Sequence, residues 1–329
     1  MTAPEIETAN SMAKSKKMKY TLLLFIKITV SASLLLYLIT KLDFTSISKL
    51  RADIPVHMLF ASLIMLAALG FMTIRWRIVL LLIEAKTYSL KLLYNFYLIG
   101  SFFNIFIPGA IGGDAMRVYY ASKAYKLTKT RALLSVFIER VAGLFALGLI
   151  LMFSLLFNDT VRTKLEFGYT LIALSTLGMI FALVFAKYLI EKRMPVRYGD
   201  MVLILFLSGL GQFGDIIISY LYALYFDLDI TILNLMSIMP LVYIATVIPI
   251  SLGGVGVRES VMTAGMALYG IHVSDAVLVS FLLYSTKIVI GLPGWFLYIK
   301  SGYTTGNTNK TIGTNNPKSG STGDDREKK

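Results

Sequence analysis

The sequence predicts an all-α, polytopic membrane protein of about six full spans and two oppositely oriented re-entrant helical hairpins that form an inverted repeat. Three observations lead there. The 329 residues are 56% hydrophobic, with a mean hydropathy of +0.71, and several apolar runs reach the roughly 20 residues a helix needs to cross a bilayer. The stretch Ile107-Pro108-Gly109-Ala110-Ile111-Gly112-Gly113-Asp114-Ala115-Met116-Arg117 recurs, altered, as Ile248-Pro249-Ile250-Ser251-Leu252-Gly253-Gly254-Val255-Gly256-Val257-Arg258. Pro249 follows Pro108, and Arg258 follows Arg117, by the same 141 residues. Pro removes a backbone donor and Gly loosens the chain, so each copy breaks a helix. Broken helices at matching places in two halves of a membrane protein point to a transport site.

Composition excludes several classes. Cysteine is absent, which removes disulfides, thiolate metal sites and thiol catalysis. Two histidines, His57 and His272, are too few for a histidine metal cluster. No cofactor is expected. The net charge of +13 reads as cytoplasmic Lys and Arg facing anionic lipid, not as a nucleic-acid surface.

In order, residues 1–19 form a basic cytoplasmic N-terminus ending in Lys14, Lys16, Lys17 and Lys19. Residues 20–40 form a first span, long and without a small-x-small cleavage site, hence retained. After an outer loop, residues 56–74 return inward and close on Arg75-Trp76-Arg77, an interfacial anchor by composition. Residues 88–107 lead to the first break. A full crossing there would put Lys123, Lys126, Lys129 and Arg131 outside; a re-entrant hairpin over about 88–128 keeps them cytoplasmic. Spans follow at 132–157, 168–190 and 201–226. The turn Asp227-Leu228-Asp229 is acidic and fits the outside. A second hairpin, about 231–270, contains Pro240 and the second break. The last span is 275–299. The transmembrane domain thus covers 20–300, and 301–329 form a disordered polar tail. Both termini are cytoplasmic, and the compartment expected is the cell inner membrane.

The candidate site is built from charges in the spans. Arg117 and Arg258 each sit one helical turn past a glycine pair, Gly112-Gly113 and Gly253-Gly254. A helix N-terminus offers free N–H groups and a positive dipole end, and arginine adds a fork of donors. Two such tips would hold a phosphate. The competing reading is that the glycines serve close packing and the arginines snorkel. Asp114 and Glu259 would pair with arginine, cap the returning helices or carry a coupling proton. Glu139 and Arg140 are neighbours on one helix and point about 100° apart, so each needs another partner. Arg117 or Arg258 would answer Glu139; Asp114 or Glu259 would answer Arg140. Asp215, near Gln212, would meet Lys287 or an arginine tip. Asn104, one turn before Pro108, would satisfy carbonyls freed by the break. Neither glycine run is a nucleotide loop, since neither ends in Gly-Lys-Ser/Thr.

The combination Asn104-x-x-x-Pro108-Gly109-x-x-Gly112-Gly113-Asp114-x-x-Arg117, then Glu139-Arg140, then Pro249-x-x-x-Gly253-Gly254-x-Gly256-x-Arg258-Glu259 resembles the flippase-like lysylphosphatidylglycerol synthase transmembrane region family, over roughly residues 20–300. Arg75-Trp76-Arg77 also fits. The resemblance implies an integral membrane protein that moves or presents anionic lipids. In bifunctional relatives a soluble aminoacyl-transfer domain follows; here a short polar tail does, so lysyl-lipid synthesis by that route is not expected. The expectation is therefore a flippase for an anionic lipid, phospholipid or polyprenyl-phosphate-linked, not an enzyme. The alternatives are a membrane enzyme using Glu139 or Asp114 as base on lipid-linked phosphate or sugar, and a scaffold delivering lipid to a separate soluble lipid-modifying or glycosyl transferase.

Overall fold

A computed structural model describes residues 48–84, 86–106, 111–158, 197–247 and 256–300, with isolated positions among 29–40 and 170–177. All regular structure among the described residues is helical: α1 (Ile54–Glu84), α2 (Leu90–Phe106), α3 (Ile111–Tyr125), α4 (Lys129–Phe157), α5 (Tyr198–Tyr225), α6 (Ile232–Val247), α7 (Val257–Ala267) and α8 (Val273–Lys300). Four of them, α1, α4, α5 and α8, are long and apolar enough to cross a membrane. The expected spans at 20–40 and 168–190, the tail, and the break residues Pro108, Pro249, Gly253 and Gly254 lie outside the described residues.

Helix ends follow local chemistry. Thr128 caps α4 by accepting from the Arg131 N–H at 3.3 Å, satisfying one of the donors a helix start leaves free. The left-handed residues Lys126 (φ 54°) and Asp227 (φ 54°) lie just past α3 and α5, and Gly270 (φ 80°) lies past α7, where that conformation turns the chain out of the helix. Pro240 and Pro293 lie inside α6 and α8.

The sidedness of the long helices is that of a protein solvated by lipid. On α4, Leu133, Phe137, Leu144 and Phe153 are exposed while Glu139 and Ser135 are buried. The apolar face looks outward and the charge inward, the reverse of a water-soluble helix. Hydroxyls in the spans bond back to carbonyls four residues earlier, as Thr73 does to Leu69 at 2.7 Å and Ser208 to Ile204 at 2.7 Å, which a medium without water requires.

α2 and α3 form an antiparallel hairpin. Asn104 meets Gly113 near the tip, Phe96 stacks on Tyr120 at 5.3 Å midway, and Tyr125 reaches Ser89 at the open end. α6 and α7 pair likewise: Ile238 lies against Gly265, and Ser237 bonds the Tyr269 hydroxyl at 2.9 Å. With 17 and 15 residues, α2 and α3 span about 25 and 22 Å at 1.5 Å per residue, short of a ~30 Å hydrocarbon core.

The order long, short, short, long occurs twice. Adding 141 to the last residue number of each of α1 to α4 lands within two residues of the ends of α5 to α8, the same interval that separates the two Pro/Gly breaks. The equivalent helices α1 and α5 pack antiparallel: Arg75 meets Ser208, Ala68 faces Gly214, and His57 lies edge-on to Tyr225 at 4.8 Å.

Candidate functional site

Eight charged side chains line one cavity of about 580 Å³ between both hairpins and the four long helices. Arg75, Arg117, Arg140, Arg258 and Lys287 line it together with Asp114, Glu139 and Asp215. Five cations face three carboxylates, so the lining carries an excess of two positive charges.

The first-half side is a closed knot around Glu139, which is 1% exposed. Its Oε1 accepts from Arg75 Nη2 at 2.9 Å and Nε at 3.2 Å and from the Tyr97 hydroxyl. Its Oε2 accepts from Arg117 Nη2. Arg117 Nη1 donates to Asp114 at 3.3 Å, and Asp114 also accepts from Arg140 Nε at 2.6 Å. The Arg117 guanidinium lies 4.3 Å from the Trp76 ring centroid and 3.8 Å from that of Tyr97, where each ring face attracts a cation. A buried charge survives only when paired and hydrogen-bonded; both Glu139 oxygens are answered by cations, while Arg117 Nε is buried without a partner among the described residues.

The second-half side is more open-handed. Lys287 Nζ donates to Asp215 Oδ2 at 2.8 Å and to the Tyr243 hydroxyl at 3.3 Å. Arg258 is 9% exposed, its guanidinium 5.1 Å from the Tyr284 ring centroid. Its Nη1 and Asp215 Oδ1 are buried and have no hydrogen-bond partner among the described residues.

Several sequence expectations meet here. Glu139 pairs with Arg117, Arg140 with Asp114, and Asp215 with Lys287. Glu259 does not enter the cavity lining: its Oε2 accepts from the Gly256 N–H at 2.6 Å, a helix-start cap. Asn104 serves a backbone donor, while the carbonyls of the break lie outside the described residues. Its Oδ1 accepts from the Gly113 N–H at 2.8 Å, a donor left free at the start of α3. Gly113 serves close approach: a Cβ there would lie 2.5 Å from the Gly100 carbonyl oxygen. Gly112 is buried in the first turn of α3.

Arg75-Trp76 is no interfacial anchor. α1 continues through it to Glu84, Arg75 is 5% and Trp76 0% exposed, and Trp76 Nε1 donates to Ser135 at 3.0 Å. The burial of Glu139 explains the difference, because that carboxylate needs donors from a facing helix. Arg75, Tyr97, Tyr243 and Tyr284 are thus site residues that sequence reasoning missed. An arginine inside an apolar helix was the available signal for Arg75; the tyrosines looked like any aromatic in a span.

The model of the lysylphosphatidylglycerol synthase TM region matches residues 24–294. The chain belongs to that family. No curated protein matches it. As a lysylphosphatidylglycerol synthase TM-region protein it is a membrane protein of a lipid-related family, and the matched residues hold both hairpins and every charged group of the cavity.

Proposed function

We propose that this protein is a membrane transporter that carries an anionic lipid, phospholipid or polyprenyl-phosphate-linked, between leaflets. The cavity carries the reading: its walls come from both hairpins, and its lining holds five cations against three carboxylates. Uncompensated positive charge at membrane depth is costly, and an anionic head group relieves it. The apolar outer faces of the helices let acyl chains stay in lipid while the head group crosses.

The repeated element order, its constant spacing and the antiparallel α1–α5 pair support an inverted repeat, with the hairpins re-entering from opposite faces. Alternating access then amounts to rocking one half against the other around the shared cavity. Arg258 and Lys287 would take the phosphate; Arg117, the other arginine expected to hold it, is engaged by Asp114 and Glu139. The first-half ion pairs and Asp215 would form the network that changes between states. By the distribution of Lys and Arg, both termini would face the cytoplasm, and the compartment would be the inner membrane. A separate lipid-modifying or glycosyl transferase is the partner such a transporter would supply.

The test is reconstitution into liposomes with fluorescent phosphatidylglycerol or a short-chain polyprenyl phosphate, read with a leaflet-selective quencher. Wild-type protein should move at least one of these lipids, and Arg258→Gln should abolish the movement. Transport of neither by folded protein, with and without a proton gradient, would overturn the proposal, as would undiminished transport by the variant.

A further inference from the structure

The two sides of the cavity are built alike but finished differently. Each half places one ion pair between its first and last long helices: Arg75–Glu139 joins α1 to α4, and Asp215–Lys287 joins α5 to α8. In the first half the acid sits on the last helix and in the second half on the first, so the polarity is reversed. In the first pair both carboxylate oxygens are taken, Glu139 accepting from Arg75, Arg117 and Tyr97, although Arg117 Nε is buried without a partner among the described residues. The second differs. Lys287 gives Asp215 a single short contact of 2.8 Å; among the described residues the other carboxylate oxygen is buried without a donor and Arg258 Nη1 is buried without an acceptor. Arg258 is also the second residue of α7, an 11-residue helix, whose first N–H groups and positive dipole end favour an anion beside it.

We infer that the head-group phosphate binds in the second half alone, bridging Arg258 and Lys287 by displacing Asp215 from Lys287, and that the displaced carboxylate takes up a proton. This rests on the transporter reading above and assigns both its phosphate ligands and its coupling ion.

The physical reason is competition for one ammonium group. A phosphate brought to Lys287 meets the Arg258 nitrogen that lacks an acceptor, and adds a negative charge beside Asp215. Asp215 then loses its cation and gains a like-charged neighbour, and a proton on the displaced carboxyl restores the charge balance of the site. The groups sharing the cavity with Asp215 are Lys287 and Tyr284 on α8, Tyr243 on α6 and Arg258 on α7. Across it stand Arg75 on α1, Tyr97 on α2, Asp114 and Arg117 on α3, and Glu139 and Arg140 on α4, whose three cations share two carboxylates in one ion-pair network. The proton comes from the water that reaches the cavity, and it leaves when Lys287 returns to Asp215. One proton therefore travels with each head group, in at loading and out at release.

Calorimetry of the full-length protein in phosphatidylcholine nanodiscs tests this, with dihexanoyl phosphatidylglycerol as the probe. That lipid is a phosphodiester with no titration near neutrality, so protons exchanged on binding belong to the protein. Measuring the binding heat in two buffers of different ionisation enthalpy counts them. Wild-type protein should take up about one proton per lipid. Asp215→Asn should bind at least as tightly and take up none. Arg258→Gln and Lys287→Gln should each weaken binding by about tenfold or more, with Lys287→Arg restoring most of it. A short-chain polyprenyl phosphate, run in parallel, should show the same dependence on these residues if the phosphate group itself is what is read. Binding without proton uptake, uptake that persists in Asp215→Asn, or binding indifferent to Arg258 and Lys287 would overturn this assignment and leave the transporter reading standing. Failure of folded wild-type protein to bind either lipid would overturn both.

Discussion

Glu139 shows what a single residue does here. It is fully inside the protein, and both its oxygens are taken by cations from other helices. Removing one partner of a buried pair costs about 3–5 kcal/mol because the other charge is left without compensation. Glu139→Gln should therefore lower the thermal unfolding midpoint of the detergent-solubilised protein sharply, whereas Lys86→Gln, at an exposed lysine 3.6 Å from Glu84, should leave it nearly unchanged. Comparable losses in both variants, or in neither, would contradict the structural role assigned to the knot. At this scale the sequence was informative about which residues needed partners and silent about which partners they had. The rule that neighbours on a helix point apart was enough to separate Glu139 from Arg140. It left Glu139 a choice between Arg117 and Arg258, because both lie near a hairpin tip and nothing local distinguishes them.

At the scale of elements, glycines set how closely helices approach. A Cβ on Gly294 would lie 2.0 Å from the Leu98 carbonyl oxygen, so α8 passes against the backbone of α2. Gly148 on α4 has nothing within 4 Å of the same position. Gly294→Ala should force α8 away from α2, reducing folded yield and thermal stability, while Gly148→Ala should be neutral or slightly stabilising, since Ala is favoured over Gly in a helix by about 1 kcal/mol. Equal behaviour of the two variants in a detergent melt would argue against that close crossing. The helix boundaries expected for α4, α5 and α8 agree with the observed ones to within about three residues, a good match for boundaries. The end of α1 was missed by ten residues. Arg75-Trp76-Arg77 has the composition of an interface, and only the packing of α1 against α4 and α5 turns it into an interior.

The whole molecule raises the question of sidedness. Because the chain has no cysteine, each introduced cysteine is the sole target for a membrane-impermeant maleimide. If the hairpins re-enter from opposite faces, Lys86→Cys and Lys126→Cys, flanking the first, will be labelled from the same side. Asp229→Cys and His272→Cys, flanking the second, will be labelled together from the other. All four positions are exposed, so accessibility does not confound the outcome. Labelling of Lys86→Cys and Lys126→Cys from opposite sides would turn the first hairpin into a full crossing and remove the inverted arrangement.

What the sequence determined by itself was whatever depends on short-range chemistry and solvent. Apolar length dictated a membrane protein. The paired Pro/Gly stretches fall between α2 and α3 and between α6 and α7, whereas the lone Pro240 and Pro293 stay inside helices. The constant interval of 141 residues between the two breaks exposed the internal repetition before any helix was seen. The tertiary structure decided which charges meet, because those contacts join residues 22, 64 and 72 positions apart on helices whose packing no local pattern encodes. It also decided that the two halves differ in finish: both Glu139 oxygens accept from cations, whereas Asp215 Oδ1 has no donor among the described residues. Charge inside a membrane must be answered by something nearby. Sequence can establish that need, but only the fold places the answer within 3 Å.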